Sequence, residues 1–191
     1  MKAYAAWGGT FLPEDCDGLD CGNTLRFNAE DTMLLIREAQ PGDVGTILTL
    51  IRGLAEYEHE PLAAQATEQD LLRDGFGCQP RFRCLIAEWG GAAVGFALYF
   101  YNYSTWKGRP GIYLEDLFVW PEYRGKGIGK ALLLHVARIA VAENCGRYEW
   151  QVLDWNTPAI EFYESLGARR MQQWLPMRVE GNALLALAGK N

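Results

Sequence analysis

Residues 111–134 constrain this chain more than any other stretch: an apolar run with two acids at its centre, a Trp120-Pro121 corner, a glycine-rich turn, and an apolar run of helical length. A strand that passes through glycines into a helix leaves the first helical N–H groups without partners. Such a terminus attracts anions, and Arg124 and Lys126 add positive charge, so a diphosphate suits it better than a carboxylate. Two familiar phosphate loops do not fit. A dinucleotide fingerprint starting at Gly125 would need glycine where Lys130 stands, and a Walker loop fails at Lys130 and Ala131. The pattern that remains is Arg-x-x-Gly-x-Gly, in Arg124, Gly127 and Gly129.

The two acids in the strand, Glu115 and Asp116, are neighbours, so their side chains point to opposite faces unless a bulge intervenes. Glu115 shares a face with Tyr113, Leu117 and Val119, and Asp116 with Leu114 and Phe118. Burying an unpaired carboxylate is costly, so each is expected to have either a function or an ion-pair partner.

With 191 residues the chain can bury one sizeable core. It has no apolar run long enough to cross a bilayer and no secretory signal pattern at its start, which points to the cytoplasm and away from membranes. Five cysteines at irregular spacing suit reduced thiols, and with only two histidines no metal site is expected. Residues 1–32 hold six acids against two bases and the remainder 18 acids against 16 bases, so the domain is nearly neutral and carries no nucleic-acid footprint.

Residues 1–32 lack strand or helix periodicity and read as an N-terminal arm that need not be ordered; residues 33–191 read as one domain. Met33–Glu38 is a strand, 40–43 a turn and cap, and 44–58 an amphipathic helix. Thr67 and Asp70 form a capping box before a short helix to Asp74. Strands are expected over 82–88, 93–103 and 111–119, then a helix from about Gly127 to Asn144 and a strand at 148–153. Thr157 can cap a helix with Pro158 in its first turn, closed at Gly167. Two last strands are expected at 169–178 and 183–188. The sum is mixed α/β: a mostly antiparallel sheet of about seven strands flanked by about four helices.

This succession and the Arg-x-x-Gly-x-Gly loop resemble the GNAT superfamily of N-acetyltransferases, over roughly 34–188. The stretch Asn156-x-Pro-Ala-Ile-x-Phe-Tyr-x-x-Leu-Gly167 resembles the GNAT segment whose Asn holds the pantetheine arm of acetyl-CoA and whose Tyr lies beside the thiol sulfur. Tyr113–Val119, Leu54-Ala-Glu-Tyr-Glu58, Thr67–Gly77 and Trp155-Asn156 are similar to the diamine and polyamine acetyltransferases in particular. The resemblance implies acetyl-CoA as co-substrate, bound by Leu117, Phe118, Val119, Arg124, Gly125, Lys126, Gly127, Ile128, Gly129, Lys130, Asn156 and Tyr163. It implies Glu115 as general base, Tyr163 as acid, and Tyr57, Glu58, Trp106 and Glu115 as substrate contacts. It also implies a homodimer.

The expected reaction is direct acetyl transfer, in a ternary complex, to a primary amine of a small di- or polyamine or a lysine-like amino acid. The sequence departs from the polyamine pattern at Ser104-Thr105-Trp106, where animal members carry Asp-Pro-Trp, and again after Gly167. Alternatives are acetylation of a protein amine or an aminoglycoside-like compound, or a silent acyl-CoA-binding module; a nucleotide-binding protein is weakened by the failed phosphate motifs.

Overall fold

The computed structural model describes residues 25–29 and 32–190, so most of the arm expected over 1–32 lies outside the described residues. The chain divides into two compact units, one running through Gln151 and the other from Val152 onward.

The first unit is a six-stranded sheet, where about seven strands were expected. In order it comprises β1 (Leu25–Ala29), β2 (Thr32–Glu38), β3 (Arg83–Trp89), β4 (Ala92–Ser104), β5 (Arg109–Val119) and β6 (Tyr148–Trp150). Neighbours pair antiparallel except β5 and β6, which run parallel. Strand β1 falls within the stretch assigned to the arm: Leu25-Arg-Phe-Asn-Ala29 does alternate apolar and polar residues, a signal overlooked in 1–32 because it spans only five residues, and among the described residues it pairs with β2.

Helix α1 (Val44–Tyr57) follows a single 3-10 turn at Pro41–Asp43, and α2 (Glu68–Phe76) opens on the expected capping box, Thr67 with Asp70. Such a cap stabilises a helix by about 1 kcal/mol. Spacing of three and four residues puts Ile47, Leu48 and Leu50 of α1 on one face, where they meet Leu71, Cys84, Ile86, Phe96, Leu98 and Phe118. Helix α3 (Ile128–Ala142) buries Leu132, Leu133, Val136 and Ile139 against β4 and β5 without joining that cluster, which places it on the other face of the sheet.

Two details position the site. Helix α1 ends in a Schellman motif: the Glu60 amide donates to Ala55 and that of His59 to Glu56, with His59 at φ 64° where glycine is usual. This fixes the direction in which the chain leaves Tyr57 and Glu58. On β5, Asp116 pairs with Leu98 while Leu114 pairs with Tyr99, so Glu115 is the extra residue of a β-bulge.

The second unit holds α4 (Thr157–Ser165) and α5 (Gly181–Leu187). The strands expected at 169–178 and 183–188 are not formed: 183–187 is helical, and 175–180 has no regular structure. The segment after Glu180, rich in Ala and Leu and free of β-branched residues, has a helical preference that period-two reading overlooked. The strand expected at 148–153 stops at Trp150. Asn156, not Thr157, caps α4, its Oδ1 accepting from the Ala159 amide at 3.4 Å while Pro158 lies in the first turn.

Candidate active site

At the glycine turn, Gly125 and Gly127 have φ of +76° and +79°, a region closed to most side chains, and Gly127 stands at the N-cap of α3. No side chain caps this helix. The first intrahelical bond from the turn runs from the Ala131 amide to the Gly127 carbonyl, so the amides of Ile128, Gly129 and Lys130 precede the helical ladder. A Cβ built on Gly125 or Gly127 meets nothing within 4 Å, and one on Gly129 only Val119 Cγ2 at 3.9 Å. The site is thus a bare, positively polarised helix terminus with room in front of it, the form that a diphosphate requires.

Strand β5 leads into this turn. Its parallel ladder with β6 covers only Ile112, Tyr113 and Leu114; past the bulge, among the described residues, β5 is paired through β4 alone. The Trp120 amide donates to Val94 on β4 at 2.9 Å. Alternation then turns the amides of Leu117 and Val119 away from β4, toward the edge that β6 has left. Of the three strand residues that the resemblance assigns to acetyl-CoA, the amides of these two are oriented together and that of Phe118 oppositely. Phe118 instead contributes its ring to the core beside Trp120, with centroids 5.0 Å apart.

The two acids beside the bulge differ in exposure. Glu115 is exposed, whereas Asp116 is half-buried. Burial first, and then the charges of Glu115 and Glu58, push the Asp116 carboxyl up to about 7. Glu58, at the C-cap of α1, is itself raised by burial. Among the described residues neither Glu115 nor Asp116 joins an ion pair, so the ion-pair alternative for these acids is not what the fold builds. The sequence offers Asp116 only as the neighbour of Glu115, although its place on the Phe118 face was the signal that it lies on the side of the sheet that α1 covers.

Arg124 connects the turn to the end of α1 and to β5. Its guanidinium lies 4.3 Å from the Tyr57 ring centroid, and its Nε donates to the Val119 carbonyl at 3.0 Å. Lys126 Nζ lies 5.7 Å from the Trp89 ring. The structure therefore brings together Tyr57, Glu58, Asp116, Phe118, Val119 and Arg124. Trp106 sits on an exposed turn. Ser104 is 7% exposed and holds that turn, its carbonyl accepting from the amides of Lys107 and Gly108.

In the second unit, Tyr163 is partly buried on α4, its ring 5.2 Å from Phe162. The α4 terminus is hooked by the amides of Leu166 and Ala168, both donating to the Tyr163 carbonyl at 3.1 Å.

A sheet whose parallel neighbours part beside an uncapped, glycine-built helix terminus defines an acyl-CoA-dependent acyltransferase architecture. The sequence profile of the Acetyltransferase (GNAT) family matches residues 47–168, and the chain belongs to that family. It is an N-acetyltransferase. It is 46% identical to the thialysine N-epsilon-acetyltransferase of Sus scrofa, over 82% of this chain and 98% of that protein. It is 40% identical to the spermidine/spermine N(1)-acetyltransferase-like protein 1 of Homo sapiens, over 80% of this chain but 23% of the longer protein. An integron cassette protein from the mobile metagenome of V. cholerae shares the fold with a TM-score of 0.70 and 31% identity, covering 81% of this chain and 97% of that one.

Proposed function

We propose that this protein transfers the acetyl group of acetyl-CoA to the terminal primary amine of a lysine-like amino acid or a small di- or polyamine, directly within a ternary complex. The observation that carries the reading is a group of acids, Glu58, Asp116 and the nearby Glu115, with Arg124 of the glycine turn stacked on Tyr57 beside Glu58, next to a helix terminus suited to a diphosphate. An ammonium-bearing substrate is what buried and bulged carboxylates select, and the terminus fits the coenzyme. Names of the relatives, thialysine above all, support a lysine-like acceptor. Ser104 supports it too, since its hydroxyl, which accepts from the Lys107 amide at 3.3 Å, supplies no carboxylate for a further ammonium.

Acetyl-CoA supplies the activated acyl group; the chain's residues do the rest. Glu115, turned outward by the bulge, takes the proton that the ammonium must lose before it can attack, through water as the family resemblance implies. The amides of Leu117 and Val119 are placed to stabilise negative charge on the thioester oxygen. Amides of 128–130 and the charges of Lys126 and Lys130 hold the diphosphate, and Gly125, Gly127 and Gly129 let it approach. The Asn156 motif supports a pantetheine contact there and Tyr163 as donor of a proton to the departing thiolate.

The free thiols Cys78, Cys84 and Cys145 support a reducing, cytoplasmic setting, and the resemblance supports a homodimer, which sedimentation checks. Release of CoA thiol from acetyl-CoA, measured across lysine, thialysine, ornithine, putrescine, spermidine and a lysine peptide, tests the whole reading. Turnover with a small amine supports it. Turnover with the peptide alone transfers the reading to a macromolecular acceptor.

A further inference from the structure

Arg124 belongs to the coenzyme loop by sequence, yet its side chain is committed elsewhere. The guanidinium lies 4.3 Å from the centroid of Tyr57, on the last turn of α1, and 5.8 Å from that of Phe118, on β5. Its Nε meets the Val119 carbonyl at 3.0 Å. That carbonyl belongs to the peptide unit whose other end, the Trp120 amide, donates to Val94 on β4. Arg124 and β4 therefore grip one peptide plane from opposite sides. Only a planar group that stacks on a ring while donating from its edge meets these demands together; a lysine ammonium does one or the other.

We propose that Arg124 is a positioning residue: it clamps Tyr57, and with it the Glu58 carboxylate, against the end of β5, coupling the coenzyme loop to the amine pocket rather than binding the diphosphate with its side chain. The proposal rests on reading Tyr57 and Glu58 as part of that pocket. It has two consequences. Amine affinity should depend on Arg124 more than coenzyme affinity does, and the effect should run through the Tyr57 ring.

The test compares the wild type with Arg124→Lys, Arg124→Met, Tyr57→Leu, Tyr57→Phe and the Arg124→Met/Tyr57→Leu double variant. Steady-state KM for the best amine, kcat, and the Kd of acetyl-CoA by calorimetry are measured on each, with thermal unfolding to confirm the fold. Loss of a cation–ring contact of this kind is expected to raise the amine KM about two- to fivefold, and more where the pocket is dry. Both Arg124 variants should show this rise while the acetyl-CoA Kd stays within about twofold of wild type. The double variant should be no worse than the worse single one, because both remove the same contact. Tyr57→Phe, which keeps the ring face, should raise the KM less than Tyr57→Leu does.

A weakened acetyl-CoA Kd with unchanged amine KM would overturn the proposal and make Arg124 a phosphate contact. So would additive effects in the double variant. If Arg124→Met unfolds, Arg124→Lys and the two Tyr57 variants still decide the question. A wild type that acetylates no amine removes the functional reading itself, which keeps that failure distinct from failure of the clamp.

Discussion

Glu58 at the end of α1 and Asp116 on β5, 58 residues apart in the chain, are two partly buried carboxylates, and the charge of Glu58 acts on Asp116. Each is raised, Asp116 to about 7 against an ordinary value of 3.8. A carboxyl whose folded pKa lies above its unfolded one binds protons more tightly in the native state, so stability falls as pH climbs from about 4 to 7. Asp116→Asn removes that dependence. Its unfolding free energy should rise relative to wild type by on the order of 1–3 kcal/mol between pH 5 and pH 8, followed by urea titration at each pH. Its amine KM should rise as well. A constant difference across that range would show that Asp116 does not titrate there.

Replacing Tyr163 by Phe should lower kcat about 10²–10⁴-fold if its hydroxyl serves as the acid, with the acetyl-CoA Kd changed only a few-fold. Replacing Glu115 by Gln should displace the pH profile of kcat/KM for the amine. The same profile in both proteins would remove Glu115 from the role of base.

Folding and binding separate at the glycine turn. At φ +79° Gly127 has no substitute, and Gly127→Ala should cost about 1 kcal/mol of stability through backbone strain. Gly129 is an ordinary helical position with nothing nearer than Val119 Cγ2 at 3.9 Å. Gly129→Ala should leave the melting temperature within a degree or two, yet weaken acetyl-CoA binding, because its methyl narrows the approach to the amides. Calorimetric titration alongside melting curves reads both effects.

Helix α1 contains a paired control. A Cβ on Gly53 would run into the Trp120 ring, whereas one on Gly45 meets only the end of the Glu68 side chain at 3.2 Å. Alanine ordinarily stabilises a helix interior by about 1 kcal/mol over glycine. Gly45→Ala should show that gain or be neutral, and Gly53→Ala should instead destabilise by about 1–3 kcal/mol through overpacking. It should also disturb Trp120, visible as a change in near-ultraviolet circular dichroism.

Periodicity and punctuation carry much of this architecture in the sequence itself. The apolar spacing of α1, the Thr67–Asp70 box and the glycines before α3 are local signals, and the structure places elements where they indicate. The candidate site was legible for the same reason: the loop amides and the acidic strand are contiguous in the chain.

Pairing between distant segments decided the remainder. Whether β5 is bulged depends on its register with β4, and one skipped residue leaves Glu115 without a ladder partner while Asp116 pairs with Leu98. Residues 25–29 become a strand because β2 offers an edge, while 183–187, without a ladder partner, follows its helical propensity. Arg124 reads in the sequence as one more charge on a phosphate loop; only the packing of α1 beside β5 puts a tyrosine ring beneath it. Local propensity is a sum over neighbours along the chain, so the sequence alone determines it. The field around Asp116 and the stack under Arg124 come from groups brought together by burial of the core, so the tertiary structure decides them.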